Sequence, residues 1–485
     1  MKFLNKIIEW GVYLFIFLLP WQTRLILKEG DLNGYWEYGT VSIYGTEILL
    51  WVIFILFCVN LFLIKLQITN YKLQINPKSK IQNVGTAAVI MFLAFALLSI
   101  FWAESKGVAL MAGLRLVEGV GLFFILSFFK FDWKKISRAF VLSATIQAFL
   151  GIYQLLTQTT FASKWLGMAL HDPATLGTIV VEASGERWLR AYGSLPHPNM
   201  LGAFLAIGIF LAIILYQKSL ASREKIILVS IFSILTFGLF ATFSKSAILS
   251  AVIILLIFLI SSFILEAGKK DKCELGKNKN LFFDLVEKIK FCFRYFEKGS
   301  RQARTISNPT AQGQKIVLLK FTFLFIFIAI IFSIIFWEPV STRITGSGRL
   351  EAKSTNERLD YFGESWHLIK KHSFFGVGLG SYTLALHNEI NPNLNAWEYQ
   401  PVHNIYLLVL AELGAFGMFL FLLVLIDFFS SLQKNNNWYN LFDLKNTVFF
   451  LVLIVGFFDH YLWTLYFGII LFWVYFNFVC NRDNS

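Results

Sequence analysis

Charge is scarce in this 485-residue chain: 15% of its residues are Asp, Glu, Lys or Arg, against 56% hydrophobic and 17% aromatic. A water-soluble domain covers itself with roughly a quarter charged residues, so an ordinary soluble protein is excluded. Cysteine is nearly absent too. The four present, Cys58, Cys273, Cys292 and Cys480, form no C-x-x-C pair, which excludes a disulfide framework and a cysteine zinc site. Long polar stretches are few, and what recurs instead is apolar sequence in runs of roughly 20 residues, enough for about twelve membrane crossings. The expected fold is an all-α polytopic membrane protein, a single membrane domain over residues 1–485. Its first run, from about Ile7 to Trp21, follows Lys2 and Lys6 without a small-x-small cleavage site and is read as a span.

A net charge of +13 raises the question of nucleic acid, but the position of the charge answers it. Lys65, Lys72, Lys78 and Lys80 share one loop, Lys130, Lys134 and Lys135 the next alternate one, then Lys218, Arg223 and Lys225, then a basic loop over 266–315. Basic residues in every second loop are the positive-inside pattern. These loops and both termini are therefore expected in the cytoplasm, and no nucleic-acid partner is needed. Two cytoplasmic pieces, "KLQITNYKLQIN" from Lys65 and the amphipathic "LFFDLVEKIKFCFRYF" from Leu281, read as insertions or membrane-surface segments.

The alternate loops then face outward: 22–40, 102–106, 158–198, 242–245 and 338–402. Two of them, 158–198 and 338–402, far exceed what joins adjacent helices, and long connections of this kind usually carry function. The first ends in "ERWLRAYGSLPHPNMLGAF", which brings Arg187, Arg190, His197 and Asn199 to the membrane, with Pro198 suited to the first turn of a helix. The second holds Arg343, Arg349 and Arg358, then "FFGVGLGSY", whose three glycines suggest tight turns near a ligand. Between the seventh and eighth spans, "FSKSA" supplies Lys245. Immediately after the second loop comes "VHNIYLLVLAELGAFG". A helix starting at His403 puts His403, Leu407, Leu410, Gly414 and Gly417 within roughly a third of its circumference, with the glycines admitting a close neighbour.

His403-Asn404, nine residues, Gly414, two residues and Gly417 match the pattern H-[NSQ]-x9-G-x-x-G. In this the chain resembles the O-antigen ligases, in the superfamily they share with O-antigen polymerases. "HPN" at His197 to Asn199, an arginine followed by a tryptophan and "GVGLG", and "FFDHYLW" from Phe457 are similar as well, over most of the chain from about Arg187. One departure stands out: where these proteins usually read S-R-[GS]-A, this chain has Ser244-Lys245-Ser246-Ala247. Lysine keeps the charge but loses the bidentate fork.

The resemblance implies a C-type glycosyltransferase-like architecture and a glycan moved from a polyprenyl diphosphate carrier, such as undecaprenyl diphosphate, to a hydroxyl on a lipid, glycan or protein. The setting it implies is the extracytoplasmic face of the cytoplasmic (inner) membrane, in polysaccharide or lipopolysaccharide synthesis for the cell envelope. It points to Arg358 and His403 as catalytic. Cations stabilise a departing diphosphate, and imidazole suits the base that takes the acceptor proton. Arg190 and Lys245, from their outward position, and His197, Asn199, Arg349 and Asn404 beside them, are expected to bind substrate. With one base and no carboxylate nucleophile in sight, inversion by single displacement is expected, with no metal or cofactor. A polymerase, whose acceptor is another lipid-linked unit, is the alternative, and a lipid-linked glycan transporter a third reading.

Other polar residues weigh less. "EGD" at Glu29 to Asp31 is a conceivable metal site but reads as an acidic pair in a hydrophilic connection, and His171-Asp172 and Asp459-His460 are conceivable ligands without helical metal spacing. Arg115 and Glu118, three apart in an apolar span, are expected to pair with each other. Glu412 lies too deep along its helix to share the substrate group of His403.

Overall fold

The computed structural model describes residues 2–70, 83–129, 131–270, 311–433 and 444–480. The amphipathic segment from Leu281, most of the basic loop 266–315 and the second half of "KLQITNYKLQIN" lie outside the described residues.

The described chain is mostly helical. From the N-terminus, α1 (Lys2–Leu18) leads into the hairpin of β1 (Arg24–Lys28) and β2 (Val41–Tyr44), then α2 (Gly45–Asn70), α3 (Asn83–Leu98), α4 (Lys106–Phe128) and α5 (Trp133–Thr157). A second hairpin, β3 (Val180–Ala183) and β4 (Glu186–Leu189), precedes α6 (Pro198–Lys218), α7 (Ser222–Ala241), α8 (Lys245–Lys270) and α9 (Ala311–Ile335). Next come α10 (Trp337–Thr345), the polar α11 (Arg349–Lys371), α12 (Tyr382–Glu389), α13 (Ile405–Gln433), α14 (Leu444–Phe458), α15 (Tyr461–Thr464) and α16 (Tyr466–Cys480).

Among the described residues, seven helices are long and apolar enough to cross a membrane: Gly45–Ile64, Lys106–Phe128, Trp133–Thr157, Pro198–Lys218, Ser222–Ala241, Ile316–Ile335 and Ile405–Asp427. Apolar helices at Ala87–Phe101, Lys245–Ile260, Val448–Phe458 and Tyr466–Asn477 are shorter. With both strand pairs only two-stranded and antiparallel, the chain is a polytopic α-helical membrane protein. Several helix starts are written locally. Ser105 and Asp132 cap α4 and α5 by accepting from the backbone N–H groups of Val108 and Lys134, and His197 does the same for α6 through Asn199.

The centre of the bundle is α6, whose most apolar 18-residue window is 94% buried in protein. It packs against α5, α7, α8 and α14, while α16 packs on α4 and α13 on α3. No lipid-facing stripe remains on α6. Its first turn, with Asn199 and Met200, is likewise buried against other protein segments, and this is where the polar residues gather.

The structure corrects two expectations about the glycines. The helix begins at Ile405, after His403, and breaks at Gly414, whose φ of 67° and ψ of −172° are not helical. A Cβ on Gly414 would lie 2.2 Å from the Phe374 carbonyl oxygen, and one on Gly376 2.3 Å from that of Glu412. The two glycine motifs lock together at the break: Val377 and Gly378 N–H groups donate to the Ala411 and Glu412 carbonyls, and Ala415 donates to Ser373. Carbonyls freed by the break are thus satisfied by the loop that forces it. The single-face argument from His403 to Gly417 fails for this reason, and the glycines of "GVGLG" make tight positive-φ turns that pack on protein: Gly376 on the Glu412 backbone, Gly378 on Ala103 and Gly380 on the Ala112 Cβ. Gly417 alone has the expected role, admitting Phe95 of α3.

The expected Arg115 and Glu118 pair is also absent. Glu118 accepts from Trp51 Nε1 at 2.7 Å, and the Arg115 guanidinium lies 5.8 Å from the Tyr44 ring centroid. Trp51 reaches Glu118 from the neighbouring helix, a tertiary partner that sequence spacing does not show.

Candidate functional site

A cavity of about 1310 Å³ opens where the loops and hairpins converge, lined by residues from 22–44, 160–200, 245–246, 343–362, 400–403 and 459–465. These are segments of four of the five expected outward loops, joined by the "DHY" turn. Arg190, His197, Asn199, Lys245, Arg349, Arg358 and His403 all line it.

His403 sits on the short approach to α13 with its side chain 23% exposed. Its Nδ1 lies 3.4 Å from Asp459 Oδ1, a long contact of the kind that tightens when substrate fills a site. Asp459, in the turn after α14, is buried. Its other oxygen, Oδ2, accepts from Asn199 Nδ2 at 2.8 Å, and Asn199 Oδ1 accepts from Arg190 at 2.7 Å. Arg190 also donates through Nε to the Thr242 carbonyl at 2.8 Å. A continuous chain of hydrogen bonds therefore runs Arg190, Asn199, Asp459, His403, from the end of the first large loop to the end of the second. Burial acts to raise the Asp459 carboxyl, but the hydrogen bond and charge of His403, with His460 and His197 nearby, outweigh it and hold the group well below the usual carboxylate range.

Three imidazoles surround that carboxylate, and burial separates them. His197 is pushed down to about 3 by desolvation, with Arg190 and Arg358 adding to the effect. It stays neutral, its Nδ1 accepting from the Asn199 backbone N–H at 2.9 Å. His460 is likewise pushed down to about 3 by burial and by the charge of His403, and its Nδ1 is engaged with Thr464 Oγ1 at 2.8 Å. All three line the cavity, but His403 is the half-open one whose ring nitrogen contacts Asp459.

The cations differ in how free they are. Lys245 donates to Glu351 Oε2 at 2.7 Å, and Arg343 bonds Glu351 Oε1 while donating twice to the Phe243 carbonyl. Arg349 pairs with Glu182 at 2.8 Å, and its side chain is 77% exposed. Among the described residues, Arg358 is the guanidinium lining the cavity that has no hydrogen bond or ion pair to protein. Arg190 is buried, and desolvation together with the charge of Arg343 pushes its guanidinium down from the usual arginine value to about 9.

Asn404 does not line the cavity. Its Oδ1 accepts from the backbone N–H groups of Tyr406 and Leu407 at 2.9 and 3.0 Å, so it starts α13 and leaves His403 just outside the helix. Glu412 is also apart, accepting from Trp463 Nε1 at 2.8 Å. Asp31 accepts from the Gly34 N–H in its own turn, and Asp172 from that of Ala174. His171 stacks on Tyr192 with ring centroids 4.1 Å apart. Among the described residues, the group with spacing for a metal is His403, Asp459 and His460, whose ligand atoms lie within 4.8 Å of one another. Asp459 is already held there by Asn199 and the His460 N–H, and Arg190 and Arg358 share the cavity.

Sequence reasoning missed Asp459 as the partner of His403, although both lay in quoted motifs. Their separation of 56 residues gives no periodic signal. It also missed Glu351, whose pairing with Lys245 spans 106 residues.

A family model described as O-antigen ligase matches residues 295–422, about a quarter of the chain. The matched segment contains Arg343, Arg349, Glu351, Arg358, His403 and the break at Gly414. No curated protein matches the chain.

Proposed function

We propose, from the premise that this membrane protein is of the O-antigen ligase superfamily, that it is an inverting glycan transferase. It moves a glycan from a polyprenyl diphosphate carrier to a hydroxyl acceptor. The topology that goes with this reading has about twelve spans, counting α1 and the shorter apolar helices with the seven long ones. Both termini then lie in the cytoplasm, and the cavity opens on the extracytoplasmic side of the cytoplasmic membrane.

The observation that carries the proposal is an imidazole backed by a carboxylate and an unpaired guanidinium lining one cavity. With Nδ1–H held toward Asp459, His403 presents Nε2 as the acceptor for the hydroxyl proton. The acceptor oxygen forms its bond to the anomeric carbon as the bond from that carbon to the diphosphate oxygen breaks, and the electron pair leaves with the carrier. Arg358, whose donors no protein group uses, meets that growing charge without first breaking a contact. No metal enters this scheme, since Asp459 serves His403 and Asn199 instead.

His403→Ala and Arg358→Ala are each expected to lower transfer from a defined lipid-linked donor by at least about 100-fold while the protein still reaches the membrane. Transfer at near wild-type rate in either variant removes that residue from the mechanism. Loss of transfer in chelator, restored by divalent metal, would turn the His403, Asp459 and His460 group into a metal site. A ladder of product lengths identifies a polymerase, and a single addition a ligase.

A further inference from the structure

Lys245 and Arg343 line the same cavity as Arg358 and His403, yet neither is free. Both are bound to one carboxylate, Glu351, in the first turn of α11. The side chain of Glu351 is only 7% exposed, that of Arg343 is 16% exposed and that of Lys245 is 53% exposed. Arg343 is fixed from behind by its two bonds to the Phe243 carbonyl, so the arrangement is a rigid cation and a movable one with a single anion between them. Two cations close together in a half-dry site repel, and an internal counter-ion holds them in place when no ligand is bound. A phosphate offers the same acceptor oxygens as a carboxylate, with more charge.

Resting on the proposed diphosphate donor, we infer that Glu351 is a built-in stand-in for a donor phosphate, occupying Lys245 and Arg343 until the diphosphate displaces it. The exchange is stoichiometric in contacts: Oε2 leaves Lys245 Nζ, Oε1 leaves Arg343, and phosphate oxygens take both donors. No covalent bond changes. Glu351 is thereby a specificity element, because a ligand with one negative charge gains nothing over the carboxylate it replaces, whereas a diphosphate does. It also supplies a release step, since the carboxylate competes for the same cations when the carrier product departs.

The test is binding of inorganic pyrophosphate to the purified full-length protein in detergent, followed by calorimetry, beside the KM for the lipid-linked donor. Glu351→Gln removes the competing charge with almost no change of shape. It should tighten pyrophosphate by about tenfold, in the usual range for coupling between two ligands that share groups, and lower the donor KM in the same direction. Adding Lys245→Gln to E351Q should cancel most of that gain. Should E351Q fail to fold, Glu351→Asp, whose shorter arm cannot serve both cations, reads the same quantity. Wild-type binding of pyrophosphate with no tightening in either variant overturns the stand-in role and leaves the transferase reading intact. No pyrophosphate binding by any form, together with full transfer by the Arg358→Ala variant, overturns both. A loss of kcat with unchanged pyrophosphate affinity would make Glu351 a catalytic acid or base and also overturn the inference.

Discussion

At the residue scale, the proposed chemistry rests on a carboxylate that is easily overlooked. Asp459 touches His403 on one oxygen and Asn199 on the other, so it fixes which imidazole nitrogen carries the proton. Asp459→Asn keeps the shape but cannot hold the tautomer or stabilise the imidazolium. It is expected to lower kcat by about 100-fold or more with little change in donor KM. Asn199→Ala removes one hydrogen bond from Asp459 and one from Arg190, yet should cost less, about tenfold, because Asp459 keeps its contact with His403. Equal kcat in D459N and wild type would mean that His403 acts alone. His403, His197 and Asn199 were legible in the sequence because they stand at the edges of apolar runs. Asp459 was in view but was weighed only as a metal ligand and set aside, because nothing in the spacing of "FFDHYLW" ties it to a histidine in another helix hairpin.

At the element scale, the interlock between the loop after α11 and the break in α13 sets the position of His403, eleven residues before Gly414. The composition of both motifs was legible, since three glycines in five residues invite positive φ. Their meaning was not, because a run of apolar residues without proline reads as a continuous helix whether or not a loop wedges it open. Gly414→Ala places a Cβ 2.2 Å from the Phe374 carbonyl oxygen at a φ of 67°. It should destabilise by well over about 1 kcal/mol, seen as a lower thermal midpoint in detergent, and should depress transfer as His403 shifts. Gly107→Ala, with nothing within 4 Å of the added Cβ, serves as the neutral control. An unchanged midpoint for G414A would show that the break is not enforced by the loop.

At the scale of the whole molecule, the helical bundle and its expected orientation came from two coarse signals, apolar length and alternation of basic loops. Both are properties of the membrane as a solvent and survive without any knowledge of packing. What they leave out is which helix lies at the centre, because a buried span and a lipid-facing span have the same hydropathy; α6 is told apart only by its neighbours. Orientation has its own test. Leu176→Cys, at a position 90% exposed in the first large loop, in an otherwise cysteine-free chain, should react with a membrane-impermeant maleimide added outside intact cells or spheroplasts. Labelling that requires permeabilised membranes would reverse the proposed topology.

The encirclement of α6 has a consequence for how the protein is made. Its partners include α14, and Asn199 in its first turn is bonded to Asp459, 260 residues further along the chain. While the ribosome is still working through the intervening helices, α6 must sit against lipid on the side that α14 later covers. The site can close only once the C-terminal hairpin has entered the bilayer and displaced those lipids, so chains cut short before Asp459 would be inserted yet inert.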